Sequence, residues 1–383
     1  MNDSVGIGVI GSGGMGMSVV AQVLAADERL RMRAVYDISE RSVENALEKG
    51  HADAHVCSSL QELVNSPGID WVMIATWNCD HANSAITALE AGKNVFCQKP
   101  LATTLEDCLR MRDAWKASGK LFQLGFNLRY SPHYVRVHEL VEGNSIGSMV
   151  SMEFNETLEF NHGGFILADW RRLKKDSGPH VLEKCCHDID LVNWIVGSPA
   201  VRVASFGGLD FFTPEYASRV EEIGPNAEGK AAYSAWPKPK DRNPFTCDKD
   251  IIDNQVVIIE YANGVRATFH MNNNAGIQER RMYLCGTHGS IRADVLTGAI
   301  DLKAIGWDTE TQSHSTTGQG SHGGGDEILA QELADSMIHG VPPRVGIEEG
   351  ILSAVTCFAI DDAMVSGTVV DVRPYWEKAG IEI

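Results

Sequence analysis

The sequence lacks several things whose absence narrows its role. No apolar run approaches the roughly 20 residues that a helix needs to cross a bilayer. Basic charge is short: 33 Lys and Arg stand against 51 Asp and Glu, a net −18, which argues against nucleic acid or an anionic membrane as partner. A disulfide framework is missing, because the nine cysteines are odd in number and scattered from Cys57 to Cys357, several within predicted strands or helices. The adjacent pair Cys185-Cys186 points about a quarter-turn apart on a helix, so no joint metal ligation is expected from it. Met1-Asn2-Asp3-Ser4 runs into the first strand without a basic start, an apolar segment or a cleavage site, and the expected location is cytoplasmic. No internal repeat is present.

What is there reads as a globular α/β chain. With 383 residues, 44% hydrophobic and 22% charged, it exceeds one comfortable core, so two domains are expected. The stretch Val5 to Asp37 reads as strand, turn, helix, strand, with Gly11-Ser12-Gly13-Gly14-Met15-Gly16 at the turn. Glycines at 11, 13 and 16 fit a dinucleotide fingerprint: one for the tight turn, one for close approach of a pyrophosphate, one for helix–strand packing. The helix start offers N–H groups and a positive dipole end to phosphates. Asp37 ends the second strand 21 residues after Gly16, where a carboxylate accepts from both ribose hydroxyls and repels a 2′-phosphate. That favours NAD over NADP, although Arg41 is near enough to meet a phosphate if the loop turned.

Strand and helix then alternate: helix Ser39 to Lys49, a short strand near His55, helix Ser58 to Asn65, strand Trp71 to Ala75, helix Asp80 to Ala91, strand Asn94 to Gln98, helix Thr104 to Ser118, strand Leu121 to Phe126. This rhythm predicts a doubly wound parallel sheet, a Rossmann domain over 1–126, with ligands along the carboxyl ends of its strands. From 127 to 383 the pattern predicts an α+β domain with a large, open, mostly antiparallel sheet, interrupted by an insertion at about 209–250. Its strands are Met149 to Phe160, Val201 to Gly208, Ile251 to Tyr261, Val265 to Asn272 and Met282 to Cys285, with one strong helix from Leu182 to Val196. Asp326 is placed to cap a helix reaching Ile338, and Ile347 to Ser366 gives another.

Two constellations carry chemistry. Lys99 follows the fifth strand and should project into the crevice near the nicotinamide end, where an ammonium stabilises an alkoxide as hydride leaves carbon. On helix Leu182 to Val196, the spacings of Glu183, His187 and Asp190 put all three on one face. Histidine is the usual side chain for taking an alcohol proton, and Glu183 is placed to orient His187 or stabilise its cation. The plain alternatives are a solvated lysine and a surface salt-bridge row. A zinc site from Glu183, His187 and Cys185 is disfavoured because the ligands do not share a face.

The motifs together resemble the glucose-fructose oxidoreductase and inositol dehydrogenase family (Gfo/Idh/MocA) over essentially the full length. The matching pieces are Gly11 to Gly16, Asp37, Ala75-Thr76-Trp77-Asn78-Cys79-Asp80-His81 for A-T-P-N-x-x-H, Gln98-Lys99-Pro100 for E-K-P, and Glu183 to Asp190 for D-x-x-x-H-x-x-D. Arg129 matches an arginine after the sixth strand, and Trp170-Arg171 a pair before the catalytic helix. The resemblance implies Lys99, Glu183 and His187 as the catalytic group, with Thr76, Trp77, Asn78, His81 and Gln98 near the cofactor. It also implies substrate contacts from Arg129, Trp170, Arg171, Lys184, Asp190 and His322, and an open sheet that builds dimers or tetramers. Three departures stand out: Trp77 for proline, Gln98 for glutamate and Glu183 for aspartate. The loop His322-Gly323-Gly324-Gly325-Asp326 resembles only a subset of the family, and its alternative is a capped helix start. The leading expectation is an NAD-dependent oxidoreductase moving hydride between a sugar, sugar derivative or cyclic polyol and nicotinamide. A second is a glycosidase that uses bound NAD for transient C3 oxidation and elimination, and a third a dinucleotide-binding sensor.

Overall fold

The computed structural model describes residues 4–236, 242–316 and 320–383. The chain forms two compact units, Met1–Ser131 with Gly320–Ala354 and Pro132–Gln319 with Val355–Ile383.

The first unit is built on six parallel strands: β1 Val5–Ile10, β2 Leu30–Tyr36, β3 His55–Val56, β4 Trp71–Ile74, β5 Asn94–Gln98 and β6 Phe122–Gly125, in the order β3-β2-β1-β4-β5-β6. Central strands covered on both faces must be apolar throughout, and all four residues of β4 are buried. The helices between them start where short polar side chains accept backbone N–H groups: the side chains of Ser39, Ser59 and Thr104 accept from the N–H of Ser42, Glu62 and Asp107. The chain returns to this unit late. Helix Gly325–His339 packs against helix Gly14–Ala26, and Leu124 N–H donates to Val345 O at 3.1 Å beside β6. Gln123 Nε2, Tyr130 Oη and Glu332 Oε1 form a chain of hydrogen bonds at 3.2 and 2.7 Å that ties the late helix to the sheet.

Among the described residues the second unit carries nine strands. They are β7 Met149–Glu159, β8 Ala200–Gly208, β9 Asn254–Tyr261, β10 Arg266–Ala275, β11 Arg281–Gly286, β12 Gly289–Asp294, β13 Ala299–Ala304, β14 Thr311–Ser313 and β15 Val370–Asp371. Their order is β14-β13-β12-β11-β7-β10-β9-β8-β15, antiparallel except for the β7–β10 pair. Burial alternates along β9 and β10, so one face packs and the other stays open. On the packed face Phe154 stacks on Phe269 at 4.6 Å. Tyr261 Oη donates to Asn193 Oδ1 at 3.1 Å, and Asn193 Nδ2 donates to Thr356 Oγ1 at 3.3 Å, linking sheet to helices.

Several expected boundaries change. β7 ends at Glu159 because the glutamate side chain caps a new helix, Phe160–Ala168, accepting from His162 N–H. Strands β12 to β14 and β15 come from short segments that the alternation did not single out. Asp326 is not a cap. Gly324 holds that position, while the Asp326 carboxylate accepts from Asn127 Nδ2 and pairs with His322 Nδ1. The expected helix from Leu182 to Val196 is two pieces, His180–Glu183 and Cys186–Val196, separated by a turn at Lys184-Cys185. Residues 237–241 of the expected insertion lie outside the described residues.

Candidate active site

In the first unit, the glycine loop takes the form its sequence requires. Gly11 has φ +85°, and a Cβ there would lie 2.6 Å from the Ala75 carbonyl; at Gly16 a Cβ would lie 2.7 Å from both Ala75 Cβ and Gly11 O. The first residue makes the turn and the third lets helix Gly14–Ala26 touch β1 and β4. Gly13 and Gly14 have no heavy atom within 4 Å of a built Cβ, and the helix begins at Gly13 without a side-chain cap. Bare N–H groups at an open helix start are what a pyrophosphate needs. Met15 sits in the first turn of the same helix. Asp37 closes the loop from the β2 side: its Oδ2 accepts from Ser12 N–H at 2.7 Å and Ser12 Oγ at 3.3 Å, and its Oδ1 from Ser39 N–H at 2.8 Å. A pocket beside them is lined by Ser12, Gly13, Gly14, Met17, Ser42 and Lys49. These residues fit NAD.

Farther along the same edge, β4 runs into Thr76, whose Oγ1 donates to Trp77 O at 3.1 Å, then into a short turn, Asn78–Asp80, and His81. His81 is fully buried, and its Nδ1 lies 2.8 Å from Pro100 O. Burial pushes this imidazole below its ordinary pKa, and the nearby Lys99 ammonium adds to that, so neutral His81 donates to the carbonyl and fastens the Gln98-Lys99-Pro100 loop. Gln98 lies against Gly125, where a Cβ would come within 2.7 Å of its Oε1. Arg129 follows β6 in the turn Asn127–Tyr130. His322 joins this turn through Asp326 and Asn127, and Ser131 Oγ donates to Gly323 O at 2.9 Å.

In the second unit, Trp170, Arg171, Glu183, Lys184, His187 and Asp190 belong to consecutive short elements. His187 and Asp190 share helix Cys186–Val196 and are both buried, and the turn at Lys184-Cys185 separates this helix from the short helix that ends at Glu183. Glu183 Oε1 accepts from Arg171 Nε at 2.9 Å, and Arg171 Nη1 bonds Asp169 Oδ2 at 2.5 Å. Lys184 Nζ pairs with Glu156 Oε1 at 3.1 Å.

The sequence reading missed the residues behind this row. Arg280 bonds both oxygens of Asp188, at 2.9 and 2.7 Å, and reaches Glu156 Oε1 at 3.3 Å. Burial and the neighbouring Glu156 push Asp188 up to about 7 against the pull of Arg280. Burial works against Glu156 too, but Arg280 and Lys184 overcome it and hold that carboxyl well below its usual range. Burial also pushes His162 down to about 3, with Lys184 adding to it, and lowers His180, whose Nε2 lies 3.1 Å from Asn273 Nδ2. One signal was available: Asn155-Glu156-Thr157 puts three polar residues in a row inside a strand, which simple alternation does not explain. Glu156, Cys185 and Asp188 have the closeness of a metal trio, but two of the three are already bonded to Arg280 or Lys184.

A parallel sheet with this glycine loop and a terminal Asp defines a dinucleotide-binding domain of the Rossmann class. The model described as "Oxidoreductase family, NAD-binding Rossmann fold" matches residues 5–126, and "Oxidoreductase family, C-terminal alpha/beta domain" matches 138–372; the chain belongs to the Gfo/Idh/MocA oxidoreductases. Inositol 2-dehydrogenase of Gluconacetobacter diazotrophicus is 37% identical over 148 residues, 38% of this chain and 44% of that protein. Inositol 2-dehydrogenase of Burkholderia cenocepacia is 27% identical over 261 residues, 68% of this chain and 65% of its own length. The chain thus spans less than two thirds of either relative. Levoglucosan dehydrogenase in complex with NADH and levoglucosan superposes with a TM-score of 0.78 at 21% identity, covering 96% of this chain and 99% of that one. Aldose-aldose oxidoreductase from Caulobacter crescentus gives 0.73 at 17% identity, covering 96% and 99%. Both share the fold.

Two predictions follow from these geometries. Gly13→Ala, built into open space, should keep the urea midpoint of the wild type yet weaken NADH binding about 10-fold or more in a fluorescence titration, whereas Gly16→Ala should cost about 1–3 kcal/mol of stability. Unchanged NADH affinity in Gly13→Ala would remove the phosphate role of the loop. The second concerns acid. His133 and His162 are held at about 4 and about 3, below the ordinary 6.5, so as pH falls through that window the unfolded chain takes up protons that the folded one refuses. Their contribution to stability is complete above pH 6.5 and is lost on acidification; the raised Asp188 acts with the opposite sign between 3.8 and about 7. The unfolding free energy from urea titrations between pH 7.5 and 4.5 should therefore fall less steeply in His162→Gln than in the wild type, by at most about 1.4 kcal/mol per pH unit.

Proposed function

We propose that the protein is an NAD-dependent dehydrogenase acting on a hydroxyl of a sugar, sugar derivative or cyclic polyol. The observation that carries this reading is the Lys99 loop, fastened by buried His81 on the sheet edge that also holds the glycine loop and Asp37. The inositol 2-dehydrogenases among its relatives support the substrate class. Bound NAD supplies the hydride acceptor. In this reading the His187 imidazole takes the proton of the substrate hydroxyl, and the Lys99 ammonium stabilises the negative charge that grows as hydride leaves. Glu183, held by Arg171, completes the catalytic group, and the pair gives substrate hydroxyls both an acceptor and a donor. Trp170, Arg129, Lys184, Asp190 and His322 complete the substrate contacts in this reading, and Thr76, Trp77, Asn78 and Gln98 the coenzyme contacts. The nine cysteines form no disulfide among the described residues and are mostly buried, which fits a cytoplasmic location, and among the described residues no helix is long and apolar enough to cross a membrane.

The purified protein with NAD and a panel of sugars and inositols should produce NADH absorbance. Lys99→Ala and His187→Ala should each lower kcat about 100-fold to 10,000-fold. Wild-type rates in both variants would end these assignments, and glycoside cleavage without net NADH would select transient oxidation instead.

We also propose that the open face of the nine-stranded sheet joins copies of this chain into a homodimer or homotetramer. Phe206 and Val256 are paired across β8 and β9 and are 71% and 50% exposed, and Ile258, two residues on, is 54% exposed. Adjacent bare side chains of this size are costly to leave in water. Ile258→Lys should shift the protein to monomer in light scattering after gel filtration; a monomeric wild type would overturn the proposal.

A further inference from the structure

The second unit carries an aromatic row that the reaction itself does not use. The insertion after β8 is anchored rather than loose: Phe212, Tyr233 and Phe245 are buried in one cluster with Leu158 and Leu167, beneath the helix Phe160–Ala168. Gly164 of that helix is there because the backbone of Tyr233 lies directly on it, 2.3 Å from where a Cβ would be. Ser234 N–H then donates to Asn161 Oδ1 at 3.3 Å. Two residues later the chain presents Trp236, which is 50% exposed, close after the buried Ala232 and Tyr233. Its ring meets the edge of His162 at 5.0 Å and of Phe165 at 4.9 Å. Phe165 in turn faces the Arg171 guanidinium at 6.0 Å, and Arg171 lies 4.4 Å over Trp170 while bonding Glu183.

Indole and phenyl rings thus run from the solvent-facing insertion to the carboxylate of the proposed site, with His162, Arg171 and Glu183 as polar neighbours. A pyranose ring matches that combination. Its C–H face is apolar and weakly positive, suited to the negative face of an indole, and its hydroxyl edge needs donors and acceptors. The proposed proton and hydride transfers make no use of the Trp236 indole. We propose that Trp236, with Phe165, is a subsite for a second sugar ring, so that the substrate is a disaccharide or other glycoside. This rests on the sugar dehydrogenase reading.

Glucose, galactose and N-acetylglucosamine, each paired with a disaccharide containing it (cellobiose and maltose, melibiose, chitobiose), separate the two claims. Wild-type protein should show a higher kcat/KM for at least one disaccharide than for its monosaccharide, and Trp236→Ala should lower that ratio about 10-fold, with partial return in Trp236→Phe. A wild-type preference for monosaccharides throughout, or a ratio unchanged in Trp236→Ala, overturns the subsite. If no sugar reduces NAD, the dehydrogenase reading fails, and calorimetry of the same pairs on NADH-loaded protein decides the subsite alone. Tighter disaccharide binding that Trp236→Ala abolishes supports it, and equal or absent binding overturns it.

Discussion

Two buried carboxylates and the two cations fixed against them constrain the second unit. Glu156 and Asp188 are almost wholly enclosed, and an ionised carboxylate in that position is costly unless cations are fixed against it. Lys184 and Arg280 supply them, one from the turn between two helices and one from the segment before β11. Each member is therefore held by the others, and removing one would leave an uncompensated charge in the core. The arrangement also explains the broken helix. Lys184 has to reach Glu156 on β7 while Asp188 reaches Arg280, and the two-residue turn at Lys184-Cys185 separates the elements that carry them.

Much of the first unit was legible because its constraints are local. A parallel strand buried on both faces is an apolar run, a dinucleotide turn needs glycine at set spacings, and a helix start needs a short polar side chain. Each leaves a mark in a few consecutive residues, such as Trp71–Ile74 or Thr104. The second unit was less legible because its constraints act between distant segments. Glu159 looks like one more strand residue until its carboxylate turns to cap the next helix. The same limit shows in the first unit, where Asp326 looks like a cap, yet its carboxylate is taken by Asn127, 199 residues away. The grouping of Glu183 with His187 assumed one unbroken helix, and the long-range pairing of Lys184 with Glu156 is what the local pattern could not contain.

The three departures from the family pattern have physical readings. Trp77 stands where proline is usual, with φ −67° and ψ 150°, the backbone that a proline would impose; the turn is kept and an indole, 44% exposed, is added beside the coenzyme segment. Gln98 fits the space left by Gly125 and retains donor and acceptor without a charge. Glu183 is one methylene longer than aspartate, and its carboxylate meets Arg171, which Asp169 also holds.

The electrostatic balance of the second unit narrows what its site can receive. Its cations are Arg171, Lys184 and Arg280, and each is already bonded to a carboxylate drawn from Asp169, Glu183, Glu156 and Asp188. His162 is neutral near pH 7 because burial outweighs its acidic neighbours, and His180 is pushed the same way. With Asp188 up at about 7, this group of residues carries a net charge between zero and minus one. A phosphorylated or carboxylated sugar arriving there would meet acidic oxygens and cations that are already neutralised. A neutral polyol or glycoside of the kind proposed would meet donors and acceptors fixed by their own pairing, so the hydrogen bonds it made would not require ordering the partners first.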